Sequence, residues 1–285
     1  MPELPEVETI RSALRDGGRG GVSIIGRRVQ DSHLLWDRTL AEPSPAEFRK
    51  RILGRTIEDV GRRGKYLLMD FSAHTLLFHL RMSGDLVVED REQPVAPHHR
   101  LMLDLEGGIR LAFNDTRKFG RAWLVSDPQV VLGQLGPEPL DGDFTAQELH
   151  RRLLARRRQL KPLLLDQTFI AGLGNIYTDE ALHMAGLHPL TISNTLDRVQ
   201  SERLWSSIRQ VLQDGIRRQG ASIDWVYKGG DFQNYFRVYQ RTGKPCPTCG
   251  ALIQRIQVGQ RGTHFCSNCQ PSPTQAPLSG DVEDG

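Results

Sequence analysis

Cysteine is scarce in this chain and confined to one region. The 285 residues include four cysteines, all of which lie between Cys246 and Cys269. A domain built on disulfides needs many cysteines spread through a short chain, so that class is excluded. Clustered cysteines in a long chain indicate one local metal site instead.

Long apolar runs are also missing. No stretch approaches the roughly 18 apolar residues of a membrane-spanning helix, and the first residues, MPELPEVE, are acidic with no apolar signal core. The composition, 38% hydrophobic, is that of a soluble protein, and the length suits two domains. We therefore expect a cytoplasmic protein.

The net charge is small but unevenly distributed. The formal charge is +3, yet the last fifteen residues carry three acids and no base, so the rest of the chain carries +6. Positive charge is concentrated in residues 49–65 and 151–161. A polyanion is the natural partner of such segments, although solvated helix faces have the same composition.

Periodicity separates a strand-rich first part from a helical second part. Short apolar or alternating runs predict strands over 66–71, 75–78, 101–105 and 109–113, with a hairpin between the last two. An amphipathic helix precedes them, and its N-terminus follows Pro2 and Glu3. Helices are also predicted over 145–160, from a capping Asn175 to Ala185, and over 196–219.

Glycine- and proline-rich stretches mark the boundaries. Residues 17–21, Gly-Gly-Arg-Gly-Gly, predict a flexible insertion. The predicted organisation is an N-terminal domain over 1–126, a linker over 127–143, a helical domain over 144–235, a zinc finger over 236–270 and a disordered tail over 271–285.

The cysteines form two Cys-x-x-Cys pairs separated by sixteen residues, namely Cys246, Cys249, Cys266 and Cys269. This spacing is typical of a tetrahedral zinc site with four thiolates, and the residues between the pairs suit a small β-hairpin. Free thiols or disulfides are the alternative. One structural Zn²⁺ would fold a segment too small to have its own core, but zinc ribbons occur in nucleic-acid proteins, enzymes and scaffolds alike.

Several motifs in one order along the chain resemble those of bacterial formamidopyrimidine-DNA glycosylases. They are MPELPEVET at the start and residues 63–68, 79–84, 115–120, 135–140, 165–177, 249–253 and 261–270. The resemblance implies an α+β fold with an N-terminal β-sandwich domain and flanking helices, a C-terminal helical domain with a helix–two-turns–helix element, and a four-cysteine zinc-finger β-hairpin.

The implied activity is that of a bifunctional DNA glycosylase and abasic-site lyase of base excision repair, which removes oxidised purines from duplex DNA. By this resemblance, Pro2 becomes the N-terminal nucleophile once Met1 is removed, and Glu3 protonates the sugar ring oxygen. Helix N-termini disfavour ammonium groups, so we expect the Pro2 amine to be neutral near neutral pH. Lys65 matches a lysine of the β-elimination step, and Arg261 an arginine that grips the lesion's phosphates.

The resemblance also implies a DNA-binding surface. Met82, Arg117 and Phe119 match the residues that fill the void left by a flipped base. The positions that match DNA-contacting residues are His98, Arg117, Arg156, Lys161 and Asn175. We expect a monomer in the bacterial cytoplasm, associated with the nucleoid, that binds damaged double-stranded DNA and no membrane.

Four features depart from the family pattern: Arg81 replaces a glycine, residues 17–21 are inserted, the segment 221–232 is short, and the tail after Gln270 is extra. The short segment corresponds to a loop over flipped 8-oxoguanine, so base preference is the property most open to change. One alternative is an endonuclease VIII-like preference for oxidised pyrimidines, against which Leu4 and Met82 argue. The other is a non-catalytic zinc-dependent DNA-binding protein, against which Pro2 and Glu3 argue.

Overall fold

The computed structural model describes residues 1–223 and 229–273. Its α-helices are α1 (Leu4–Asp16), α2 (Pro45–Ile52), α3 (Gln129–Leu132), α4 (Ala146–Leu154), α5 (Leu160–Leu165), α6 (Asn175–Ala185) and α7 (Arg198–Arg217). Its strands are β1 (Val29–Leu34), β2 (Leu40–Glu42), β3 (Asp59–Arg63), β4 (Tyr66–Asp70), β5 (Thr75–His79), β6 (Gly84–Asp90), β7 (His99–Leu105), β8 (Ile109–Asp115), β9 (Arg121–Val125), β10 (Gln254–Val258) and β11 (Arg261–Phe265).

Two sheets form a sandwich in the first part of the chain. One has four strands in the order β1-β7-β8-β6, and the other has five in the order β2-β9-β5-β4-β3. Apolar side chains from both sheets, such as Phe78 and Phe113, meet in one buried cluster with their rings 5.3 Å apart. The predicted strands and the hairpin between β7 and β8 are confirmed.

Helix α1 belongs to two cores at once. Its residues Val7, Ile10 and Leu14 are buried in the sandwich core. Leu4, one turn earlier, packs instead into the core of the helical half, beside residues such as Tyr177. The N-terminal end of α1 therefore lies where the two cores meet, and this places Pro2 and Glu3 at the junction.

The helical half corrects two predictions. The helix expected over 145–160 ends at Leu154, and α5 starts only at Leu160. The intervening chain turns because the Ser193 hydroxyl donates to the Arg156 carbonyl (2.5 Å) and accepts from the Arg158 N–H (3.3 Å). Asn175 is not the cap of α6 but its first residue, and Gly174 occupies the N-cap position.

Three further predictions concern the segments 17–21, 221–232 and 271–285. Residues 17–21 are not a flexible insertion but a closed turn, described below. Positions 224–228 of the short segment 221–232, and residues 274–285 of the predicted disordered tail, lie outside the described residues. No helix in the described part of the chain combines the length and the apolar character needed to cross a bilayer.

Candidate active site

Glu3 is fixed at the N-terminus of helix α6. Its side chain is 2% exposed, and its two carboxylate oxygens accept hydrogen bonds from the backbone N–H groups of Ile176 (3.0 Å) and Tyr177 (3.4 Å). The first N–H groups of a helix have no partner inside it, so a carboxylate is a favourable cap. Pro2 next to it is buried, whereas Met1 is exposed.

Two glycines admit the N-terminal segment to this position. A Cβ atom on Gly174 would lie 2.2 Å from the Glu3 carboxyl carbon, and one on Gly172 would lie 2.6 Å from the Leu4 side chain. The Leu4 N–H also donates to the Gly172 carbonyl (3.1 Å). These two glycines therefore make room for Glu3 and Leu4.

Glu6 connects this centre to its surroundings. Its carboxylate accepts hydrogen bonds from the Glu3 N–H (2.8 Å), the Tyr177 hydroxyl (2.7 Å) and the Ala221 N–H (2.8 Å). Burial, and then the charge of Glu3, raises the pKa of Glu6 to about 7. The sequence pattern indicates no more than an acid that complements the dipole of α1, and it carries no signal of this burial.

Lys65 joins the same cluster from the turn between β3 and β4. Its side chain is buried, and burial lowers the pKa of its ammonium group, while the charges of Glu3 and Glu6 act in the opposite direction. The charge of Arg261 also acts on Lys65 and lowers its pKa further. The structure thus brings Glu3, Lys65 and Arg261 into one electrostatic environment.

Glu138 fixes the turn that carries Lys65. It is buried and accepts hydrogen bonds from Arg62 Nη1 (2.9 Å), Arg63 Nη1 (2.9 Å) and the Gly64 N–H. Since Glu138 lies in the segment predicted to be a linker, 127–143, that segment also positions the site. The same stretch also contains Asp127, Asp141 and Asp143, so the sequence gives no signal that singles out Glu138 for this role.

Arg261 lies at the tip of the β10–β11 hairpin. Val258 pairs with Arg261, and the two residues between them, Gly259 and Gln260, both have positive φ (+54° and +61°). This is the two-residue type I′ geometry that suits the twist of paired strands. The tight turn therefore presents the exposed Arg261 side chain directly at its end.

Asp179 attaches the hairpin to helix α6. It accepts hydrogen bonds from the His264 N–H (2.9 Å) and from Lys161 Nζ (2.5 Å), and Lys161 Nζ also donates to the Asn175 carbonyl (3.0 Å). Lys161 is fully buried. This burial corrects the expectation of a direct phosphate contact, because its ammonium group is used inside the protein.

The other positions expected at DNA differ in their surroundings. His98 and Arg156 are exposed, as a phosphate contact requires. The Asn175 side-chain amide donates to the Gly262 carbonyl (3.1 Å), so it connects α6 to the hairpin that carries Arg261.

Many arginines of the two basic segments form ion pairs. Arg49 pairs with Asp31, Arg51 with Glu47, Arg62 with Glu8 and Glu138, Arg63 with Glu138, Arg151 and Arg152 with Glu148, and Arg158 with Asp166. The charge density of these segments therefore overstates the charge that they offer to a polyanion.

The three void-filling candidates occupy two adjacent loops. Met82 is half-buried, Arg117 is exposed, and Phe119 is 51% exposed with the Arg117 guanidinium 5.1 Å from its ring centre. Ser83 joins the loops, since its hydroxyl donates to the Asp115 carboxylate and accepts from the Arg117 N–H (3.0 Å). An exposed aromatic ring on a fixed loop is available for stacking on a base.

Arg81 has φ +54°, a left-handed conformation that favours glycine. Its backbone N–H donates to His79 Nδ1 (3.0 Å), which fixes the turn before Met82. The structure therefore explains why a glycine would suit this position, and it leaves the Arg81 side chain exposed beside Met82.

The four cysteines converge as their spacing predicts. All four Sγ atoms lie within 4.8 Å of one another, close to the separation of about 3.8 Å between ligands of a tetrahedral Zn–S₄ centre. Few apolar residues surround them, mainly Val238 and Ile253. The chain thus provides the ligands for one structural Zn²⁺, which stabilises a unit with little core of its own.

The chain matches three family models that together span most of its length. They are the formamidopyrimidine-DNA glycosylase N-terminal domain over residues 1–122, the formamidopyrimidine-DNA glycosylase H2TH domain over 135–226, and the zinc finger found in FPG and IleRS over 243–271.

Relatives match over nearly their whole length. A formamidopyrimidine-DNA glycosylase of Chloroflexus aurantiacus is 47% identical over 278 residues, covering 95% of this chain and 98% of the relative. One of Protochlamydia amoebophila is 42% identical over 279 residues, covering 95% and 99%.

Two solved structures have nearly the same fold as this chain. The Lactococcus lactis FPG in complex with a FAPY-dG containing DNA is 37% identical, with a TM-score of 0.87 and coverage of 94% of this chain and 100% of that one. The Lactococcus lactis Fpg complex with an abasic site containing DNA also has 37% identity and a TM-score of 0.87, over 94% and 99%. On these matches and on its own site geometry, the chain belongs to the formamidopyrimidine-DNA glycosylase family of base excision repair enzymes.

Proposed function

We propose that this chain excises oxidised purines, namely 8-oxoguanine and formamidopyrimidines, from duplex DNA and then cleaves the abasic site by β,δ-elimination. The observation that carries the proposal is the position of Glu3, held next to Pro2 by the N-terminus of α6. The charges of Glu3 and Arg261 both reach Lys65, which supports placing the three residues in one centre. The Lactococcus lactis structures with FAPY-dG and abasic-site DNA support this choice of substrate.

Pro2 is the proposed nucleophile. After removal of Met1, its secondary amine attacks C1′ of the damaged nucleotide, forming an N–C1′ bond while the bond from C1′ to the base breaks and the base leaves with the electron pair. The Glu3 carboxylate takes up the proton that the amine loses and passes it to the ring oxygen as the C1′–O4′ bond opens, and the departing base takes a proton from water. The product is an iminium between Pro2 and the opened sugar.

The iminium acidifies the neighbouring C2′ position, so elimination follows. In the first elimination water takes a C2′ proton, the C3′–O bond breaks and the phosphate leaves with the bonding electrons; we assign Lys65 to this step. In the second elimination water takes the C4′ proton and the C5′–O bond breaks in the same way; we assign Arg261 to this step. Both residues are cations, so each can also bind the phosphate that leaves. The hairpin that carries Arg261 depends on the zinc-binding cysteines, and this gives the zinc finger its proposed role.

The proposed DNA surface holds the rest of the substrate. Met82 and Phe119 replace the lost stacking and Arg117 pairs with the orphaned base, while His98 and Arg156 contact phosphates and Asn175 positions the hairpin. We propose that the enzyme acts as a monomer on damaged double-stranded DNA in the bacterial cytoplasm, associated with the nucleoid. The monomer is supported by the position of the proposed catalytic residues Pro2, Glu3, Lys65 and Arg261 in one chain.

Oxidised pyrimidines are the alternative substrate class. The segment 221–232 bears on this choice, and positions 224–228 within it lie outside the described residues. Ala221 at its start is fixed to Glu6 through its N–H, which ties the segment to the catalytic helix.

Borohydride trapping tests the proposal, because it reduces the iminium to a stable covalent complex. We expect trapping on duplex DNA with 8-oxoguanine opposite cytosine, and less on matched duplexes with oxidised pyrimidines. An uncleavable N-terminal extension turns the Pro2 nitrogen into an amide and should abolish trapping, whereas the same extension at the C-terminus should not. Trapping that survives the N-terminal extension would overturn the role of Pro2, and a preference for oxidised pyrimidines would overturn the substrate class.

A further inference from the structure

The glycine-rich segment 17–21 is a closed turn. Gly18 and Gly21 exchange two backbone hydrogen bonds (3.0 and 2.9 Å), and the residues between them, Arg19 and Gly20, both have positive φ (+52° and +83°). This is a type I′ turn with an arginine at its first corner. Gly21 lies against β6, since a Cβ atom there would be 2.8 Å from the Val88 Cβ.

The turn directs Arg19 onto Asp85 of β6. The guanidinium donates to both carboxylate oxygens (2.9 and 2.7 Å) and, at 3.4 Å, to the Leu86 carbonyl. The Asp85 side chain is 6% exposed and that of Arg19 is 18% exposed. A bidentate Arg–carboxylate pair has a defined geometry and restricts the relative motion of its two elements.

Asp85 lies next to the loop that carries Met82. It is the second residue of β6, whose first residue, Gly84, donates its N–H to the Leu80 carbonyl (2.8 Å) and closes the turn around Met82. Asp85 also pairs in register with Asn114, next to Asp115 on β8. The Arg19–Asp85 ion pair therefore fixes β6. This strand follows the Met82 loop and pairs with β8, which precedes the loop of Arg117 and Phe119.

Arg19 lies just beyond the C-terminal end of α1, and α1 carries Pro2 and Glu3 at its other end. The Arg19–Asp85 pair thus connects the catalytic helix to the Met82 loop. Accurate placement of groups on separate loops requires support of this kind, since a shift of about 1 Å can cost about a hundredfold in rate.

We propose that Arg19 is a positioning residue, which fixes the Met82 loop relative to α1 so that the base is everted at the distance that attack by Pro2 requires. The inference rests on the proposed function, and it assigns to the inserted turn a part in base eversion.

The test compares a reaction that needs eversion with one that does not. Single-turnover excision of 8-oxoguanine from a duplex needs it, whereas borohydride trapping on a single-stranded oligonucleotide with an abasic site does not, because no base has to leave a stack. Fluorescence of a 2-aminopurine beside the lesion reports unstacking directly.

We expect R19M and D85N to slow both duplex excision and the fluorescence change about tenfold, with single-strand trapping within twofold of wild type. The matched control is R15M, because Arg15 ends the same helix but pairs with Asp59 of β3. It should leave all three readouts within twofold. The charge-exchanged double variant R19D/D85R should recover part of the fluorescence rate.

Two results would overturn the inference: duplex excision by R19M at the wild-type rate, or a loss of single-strand trapping as large as the loss of excision. Wild-type protein that is never trapped, on either DNA, would instead refute the proposed function itself. If R19M fails to fold, D85N tests the same pair with nearly the same side-chain volume.

Discussion

The Glu3 carboxylate caps helix α6 from a point 173 residues earlier in the chain, with 3.0 Å between Glu3 Oε1 and the Ile176 nitrogen. One acid thus serves two purposes: it satisfies the N-terminus of the helix, and it stands beside the proposed nucleophile. The site is complete only when the two halves of the protein are in contact. Substitutions at this contact should slow the reaction more than they lower the free energy of unfolding.

Replacing Gly174 by alanine tests this relationship. A Cβ atom there would lie 2.2 Å from the Glu3 carboxyl carbon, so the carboxylate must move. Gly174 has φ −131°, which alanine adopts without strain, and the effect is therefore confined to the contact. We expect single-turnover excision to fall about a hundredfold, with DNA affinity within threefold of wild type.

The control is Gly142→Ala, because a Cβ atom on Gly142 would have no other atom within 4 Å, so the position should tolerate a methyl group. Excision by G174A at the rate of G142A would show that the position of Glu3 does not matter for the reaction.

Glu6 gives the stability of the protein a pH dependence. Its pKa is about 7 in the fold and 4.5 in the unfolded chain, so between these values the native state binds more protons than the unfolded state. The free energy of unfolding therefore falls as the pH rises towards 7. Glu6→Gln removes this titration, so the wild-type stability relative to E6Q should fall by about 1 kcal/mol between pH 6 and pH 8.

Denaturant unfolding of both proteins at several pH values measures this difference, in which titrating groups that do not interact with Glu6 cancel. Glu8→Gln is the control, because Glu8 is ion-paired with Arg11 and Arg62 and its pKa is lowered. A constant difference between wild type and E6Q across the range would rule out a titrating Glu6.

Local patterns are sufficient to predict part of this structure. The alternation of Leu101, Leu103 and Leu105 identifies β7, and the cysteine spacing identifies the metal site, because both patterns depend on neighbours in sequence. The capping of α6 by Glu3 and the hold of Glu138 on the Lys65 turn could not be predicted, since each joins segments over 70 residues apart.

The basic segments are a poorer guide to the DNA surface for a related reason. Charge counting cannot separate an arginine that faces solvent from one that pairs with a distant acid, and Arg62 pairs with Glu138, 76 residues away. The family resemblance identifies Pro2 and Glu3, which composition and periodicity alone would leave as ordinary surface residues.

His183 should slow the loss of zinc. It is buried on α6 with its Nε2 at 3.3 Å from the Cys246 Sγ. A zinc-bound thiolate has no proton to give, so the ring donates its Nε2–H to the sulfur. Hydrogen bonds to metal ligands are worth about 10–100-fold in metal affinity. We expect H183F to release zinc to a chelator at least severalfold faster than wild type.

His183→Gln keeps an N–H donor of similar reach and should recover part of the zinc retention, which separates the hydrogen bond from simple packing. Equal rates of release for wild type and H183F would mean that the hydrogen bond contributes nothing to the metal site.

Removal of the Lys161 charge should lower the stability of the protein, whereas removal of the Arg156 charge should lower the salt dependence of DNA binding. Lys161→Met leaves Asp179 buried without its cation, so we expect a loss of about 3–5 kcal/mol in the free energy of unfolding and no change in the salt dependence of DNA binding.

Arg156 is exposed, so Arg156→Ala should leave the free energy of unfolding within about 0.5 kcal/mol of wild type. It should lower the slope of log K against log salt by about one, as expected for one phosphate contact. Titrations at several salt concentrations, together with denaturant unfolding, measure both quantities. A reduced salt slope for K161M with full stability would return Lys161 to the phosphate-binding surface, because only an ammonium group that reaches the DNA can release a counterion.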